Sequence, residues 1–201
     1  VEKIDDFYNV DLEHWGIGGH GVGAKQAATC QLLMTGEWNE FISNPPPTAL
    51  IALGLEDANT NVPGPYLGQS PDPGMGLYLT GTMDDIAKAD TNVDVWLANH
   101  EIPWHYMSVI GANHVQYQDE TTFWESFNDG NAQISSEDQQ NHAIEHIVPY
   151  LDLILKGEHS QWLNATNREV NWQTPSDSIS YIYEDLKGAR FMPMVSNSSD
   201  I

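Results

Sequence analysis

The chain has 201 residues, 40% of them hydrophobic, and carries 29 acidic against 7 basic side chains for a formal net charge of -22. Its length suits one domain with an appendage, and no run approaches the roughly 20 consecutive apolar residues that span a bilayer. So acidic a surface repels phosphate backbones, because nucleic-acid affinity comes from Lys and Arg displacing counterions; nucleic acid and anionic membranes are therefore poor partners.

The same charge suits a salt-rich or extracellular setting, where screening weakens self-repulsion. Sequons at Asn164 and Asn197 permit glycosylation of a secreted protein, and secretion is the favoured localisation. A single cysteine, Cys30, excludes an internal disulfide framework.

Apolar runs alternate with helical patterns along the chain, which predicts an α/β fold with a mostly parallel sheet and flanking helices. "HWGIGGH" reads as the first strand, leading through a glycine turn into a helix over 24–34 that Gly36 ends. "TALIALGL" is a continuous apolar run, as expected of a strand covered on both faces. Residues 56–75 form a long connection rich in Pro, Gly and Asn, of the kind that carries function. "MGLYLTGTMDD" then reads as a strand ending in acids, "NVDVWLANH" as a short helix, and "WHYMSVIGANH" as a fourth strand ending at His114.

Over 137–156 the residues Ile144, Ile147, Val148, Leu151, Ile154 and Leu155 recur at helical spacing and predict an amphipathic helix kinked at Pro149. This sets a first unit at 1–157 and a C-terminal extension at 158–201, in which "SISYIY" reads as one extra strand and "SNSSDI" as a frayed end. Trp15 and Trp104, inside predicted strands, are expected in the core, and Trp124 is expected to line a site.

Parallel sheets build their sites at the C-terminal ends of the strands. Here those ends carry, in order, a Gly-x-Gly-x-Gly turn, an Asp pair and a histidine. "VDLEHWGIGGHGVGA" resembles the segment leading into the nucleophile elbow of the α/β-hydrolase superfamily, with Gly19, His20, Gly21, Val22 and Gly23 in register. "LTGTMDDIA" resembles the strand ending in that family's triad acid, in a register that favours Asp84 over Asp85. "VIGANHVQY" resembles the last strand with its triad histidine, His114, thirty residues after Asp84.

The resemblance covers roughly 8–156. It implies hydrolysis of a small-molecule, lipid or polymer carboxylic ester by acyl transfer, in an esterase, lipase, cutinase or dienelactone-hydrolase-like relative. Asp84 would orient His114 as the general base, the Val22 N–H would serve the oxyanion hole, and no cofactor is implied.

Two departures qualify that expectation. The family's elbow follows the fifth of eight strands, so this chain would hold only the second half of the sheet. The first half would come from upstream residues or from a separate chain. The other departure is Gly21, which stands where the serine nucleophile belongs and has no atom with which to attack. It fits a natural loss, an engineered substitution or a nucleophile supplied from elsewhere, for which Ser70 is the one nearby candidate. The rival expectation is a pseudoenzyme, or an acidic extracellular binding or structural protein on the same fold.

Other motifs read more weakly. "HAIEH" places His142, Glu145 and His146 in the inverted zinc-protease pattern, but no third ligand is evident and these read as solvated polar residues. Residues 57–61 alternate oxygen ligands like a calcium loop, yet Gly68 stands where a closing Glu belongs. The glycine turn is a poor phosphate cradle, since Lys25 is the only cation near it. No metal is expected.

Overall fold

Side chains on successive strand residues point to opposite faces, and a strand can be apolar on both only where helices cover both. Leu50, Ala52, Tyr78 and Tyr106 sit on one face of the sheet, and Ala49, Leu77, Leu79, Met107 and Val109 on the other, in two separate apolar cores. The computed structural model describes residues 11, 13–35, 45–56, 75–99, 104–120, 122–158, 160, 162 and 179–185.

Four strands, β1 (Gly16–His20), β2 (Ala49–Leu53), β3 (Met75–Gly81) and β4 (Trp104–Val109), run parallel in sequential order. A fifth, β5 (Ile179–Asp185), pairs antiparallel with β4. The helices are α1 (Val22–Thr35), α2 (Val93–Asn99), α3 (Phe123–Asn128) and α4 (Ser136–Lys156).

α1 and α2 pack Ala24, Ala27, Ala28, Leu32, Val93 and Trp96 on one face, and α4 packs Ala143, Tyr150, Leu153 and Ile154 on the other. The result is a three-layer α/β arrangement. Buried polar tips find partners: the indole of Trp96 donates to the Tyr78 hydroxyl at 3.0 Å, and the Tyr150 hydroxyl donates to the Met75 carbonyl. Among the described residues no helix is long and apolar enough to cross a membrane.

Register positions the site. His20 lies level with Leu53 and Leu53 with Leu79, so the bends after β1 and β2 emerge side by side. The ladder runs on past the strands, with the Gly21 amide donating to Leu53 O and the Gly54 amide to Leu79 O, at 2.9 and 2.8 Å.

Several expectations are corrected. β3 and β4 stop at Gly81 and Val109, short of Asp84 and His114, which lie in the following loops. Trp104 is buried as expected, but Trp15 precedes β1 and is half-buried, its indole donating to Pro45 O at 3.0 Å.

α4 is revised in part: Ile154 is buried and Ile147, Leu151 and Leu155 pack against the core, as the spacing predicts. Its buried face is Gln139, Ala143, His146, Pro149, Tyr150, Leu153 and Ile154, whereas Ile144 and Val148 are 56% and 46% exposed. Polar residues share this face because each is satisfied there: Gln139 bonds the backbone of Asn113 and His146 the carbonyl of His142. His146 is therefore buried and not solvated. The helix begins at a Ser135 cap whose hydroxyl accepts from the Asp138 amide, and it ends at Gly157 in the left-handed region.

Ser70, residues 57–61 with Gly68, Gly36, Asn164, Asn197 and the C-terminal "SNSSDI" lie outside the described residues, as does the Trp124 side chain.

Truncating Leu153 to Ala should cost about 2–5 kcal/mol in urea unfolding, as buried Leu truncations do. Truncating Ile144 to Ala should cost no more than about 0.5 kcal/mol. The reverse ranking would contradict this register of α4.

Candidate functional site

Gly21 forms the bend between β1 and α1 with φ of +58°. Only glycine takes that conformation without steric cost. A Cβ on Gly19 would fall 2.4 Å from the backbone of Gly23, so the bare Gly19 lets strand and helix cross closely. Val22 opens the helix, and an amide in the first helical turn has no acceptor within the helix.

Asp84 and His114 meet beside this bend. His114 Nδ1 lies 3.0 Å from Asp84 Oδ2, and the two side chains are 4% and 0% exposed. The other oxygen, Oδ1, accepts from the Ala87 amide at 2.6 Å, which anchors the carboxylate. Asp85 instead faces solvent and pairs with Lys88 at 3.0 Å. Of the two acids, Asp84 is the one that reaches the histidine.

The Nε2 edge of His114 faces the glycine bend. A Cβ built on Gly21 would lie 3.2 Å from Nε2 and 2.6 Å from Glu56 Oε1. Glu56, three residues beyond β2, itself sits 2.9 Å from Nε2 and is 28% exposed. Its amide donates to Gly21 O at 3.3 Å, tying it to the bend. The imidazole thus stands between two carboxylates, one buried and one at the mouth. Gly54 completes the enclosure: a Cβ there would come 2.8 Å from His114 Nδ1.

Several residues hold the loops in place. The Asp129 carboxylate accepts three backbone N–H bonds, from Asp85, Val115 and Gly130, at 3.1, 2.9 and 2.8 Å, and so ties the acid's loop to the histidine's. Gln139, fully buried, accepts from the Asn113 amide and donates to its carbonyl. His20 Nε2 donates to the His114 carbonyl at 3.0 Å, with the two rings 4.4 Å apart.

Charge follows from this geometry. Burial alone would lower the His114 pKa, but hydrogen bonding and charge from Asp84, with the charge of Glu56, outweigh it and hold the ring above its ordinary value. Burial and then His114 hold His20 below its own.

Glu56 and Asp129 were missed in the sequence. Glu56 carried a usable signal, as an acid just past the C-terminal end of a parallel strand. Asp129 carried none, because its role exists only once two distant loops are adjacent. His142 and Glu145 lie 3.7 Å apart, while His146 is buried against its own helix, and no group of metal-ligating side chains occurs among the described residues. No protein-family model matches the chain, and no curated protein matches it in sequence.

Because the His114 pKa is raised on folding, its stabilisation is complete below pH 6.5 and is lost as pH rises through the folded value. The groups facing it are Asp84, Glu56, Asp129 and His20. The difference in unfolding free energy between the parent and His114→Gln should therefore shrink as pH climbs past 6.5, and a difference that grows would contradict the pairing.

Proposed function

We propose that this is the site of a serine-hydrolase-type carboxylic ester hydrolase of the α/β-hydrolase kind, with its nucleophile position held by Gly21. The observation that carries this reading is the buried Asp84–His114 pair with Nε2 turned to a strand-to-helix bend, 3.2 Å from where a side chain would begin. In such a site a hydroxyl attacks the ester carbonyl, His114 takes its proton, Asp84 stabilises the cation, and the Val22 amide faces the developing oxyanion. Without a side chain at residue 21 the serine route is closed. A lost triad nucleophile typically lowers turnover by ~10⁶.

The expected partner is the first half of the same fold, in upstream residues or in another chain. β1 lies at an edge of the sheet among the described strands, with Gly16 and Gly18 exposed, and an apolar groove of about 470 Å³ runs along α1 beside Val22, Leu33 and Met34. Both features support further structure packing there.

The rival reading, a pseudoenzyme that binds without turnover, is favoured by one observation. The Glu56 carboxylate already occupies Nε2, 2.6 Å from a Cβ at residue 21.

Gly21→Ser tests the choice. The substitution strains a positive-φ position at about 1–2 kcal/mol and requires the flexible end of Glu56 to swing aside. The variant should gain fluorophosphonate labelling at residue 21 and hydrolyse a short-chain p-nitrophenyl ester at least ~100-fold faster than the parent, with both gains lost on adding His114→Ala. A folded variant that neither labels nor gains rate contradicts the hydrolase reading.

A further inference from the structure

The group standing in the nucleophile's place is Glu56. Its Oε1 lies 2.9 Å from His114 Nε2 and 2.6 Å from a Cβ on residue 21, the space a serine hydroxyl would fill. The absent side chain of Gly21 is what leaves room for it. Asp84 cannot take the same role, because its side chain is fully buried, with one oxygen committed to the Ala87 amide and the other to His114. Glu56 is partly exposed, and its backbone is fastened to the bend.

We propose that Glu56 is the nucleophile of this site, its carboxylate attacking activated acyl compounds such as aryl esters, enol esters and thioesters. This rests on the ester-site reading above and adds the attacking atom.

The protonation pattern suits a carboxylate better than a hydroxyl. Both ring nitrogens of His114 face carboxylate oxygens, which an imidazolium satisfies by donating at both ends. A serine needs a neutral histidine to remove its proton, whereas an ionised glutamate carries none and needs an acid for the leaving group.

In the first step a Glu56 oxygen forms a bond to the acyl carbon and the negative charge moves to the carbonyl oxygen, facing the Val22 amide. Collapse breaks the bond to the leaving oxygen or sulfur, which takes the Nε2 proton. The products are a mixed anhydride on Glu56, a free alcohol or thiol, and neutral His114. In the second step His114 takes a proton from water as the hydroxide adds to the anhydride. The anhydride C–O bond breaks, the product carboxylic acid loses its remaining proton to solvent, and Glu56 returns as carboxylate beside the imidazolium.

The substrate class follows from how the first intermediate divides. A carboxylate is expelled more readily than an alkoxide, so even with His114 supplying a proton, attack goes forward only where the leaving group is itself stabilised. Activated esters and thioesters meet that condition; simple alkyl esters do not.

The test uses the full chain with p-nitrophenyl acetate, quenching turnover with hydroxylamine and mapping peptides by mass spectrometry. The parent should hydrolyse the ester and yield a hydroxamate at residue 56. Glu56→Gln, with its melting transition checked, should lower turnover by about 100-fold or more and abolish that adduct. Trapping on the parent needs no variant, so it decides the matter even if Glu56→Gln fails to fold.

Turnover unchanged by Glu56→Gln, or without a residue 56 adduct, overturns the proposal. A silent parent beside an active Gly21→Ser variant overturns it while leaving the ester-site reading standing, and silence in both removes both.

Discussion

A carboxylate buried without a charged or hydrogen-bonding partner is costly enough to be driven neutral or out into solvent. Asp84 is fully enclosed at its side chain, so the imidazole of His114 and the Ala87 amide are what permit its position. Much of the upper rim serves that contact. The parallel register of β1, β2 and β3 brings the two glycine bends level. Gly54 leaves space for the imidazole, and Asp129 draws the acid and histidine loops together. The dependence is mutual, since polar bonds from Asp129 tie these loops to one another.

The Asp84–His114 pair stays organised without any side chain at residue 21. The acid and the base are held from the β3 and β4 side of the sheet and by α4, with no contribution from a side chain at residue 21. On the proposed reading, losing a hydroxyl there removes chemistry and little structure. The neighbouring Glu56 carboxylate lies in the space beside Gly21, 2.9 Å from His114 Nε2. On the proposed reading, the consequence is a change of attacking group from a neutral hydroxyl to an anion, together with a change in the resting charge of the histidine from base to acid.

The legible parts of the sequence were those where a local rule has one structural solution. "TALIALGL" and "MGLYLTG" read as parallel strands because an apolar run of that length needs cover on both faces. The glycines around residue 21 marked a strand-to-helix bend. The end of β4 is not legible because the chain stays largely apolar past Val109, through Ala112 toward His114. The face of α4 is legible in part, at Ile147, Leu151, Ile154 and Leu155; hydrophobicity alone does not rank Gln139, His146 and Tyr150 as interior, and their burial depends on carbonyl and amide partners. α3 was missed because six residues are too few to show a helical period. Glu56 has a local signal, an acid just past the end of a parallel strand, but the contact that gives it a role joins it to His114, far away in the chain.

On the proposed reading His114 is held between Asp84 and Glu56 with a proton on each ring nitrogen. Nitrogen-15 NMR of the histidine side chains near pH 6 reads this directly. Two slowly exchanging ring N–H resonances are expected for His114, one lost on Asp84→Asn and the other on Glu56→Gln. A His114 ring with a single N–H, or one whose spectrum ignores both substitutions, would contradict it.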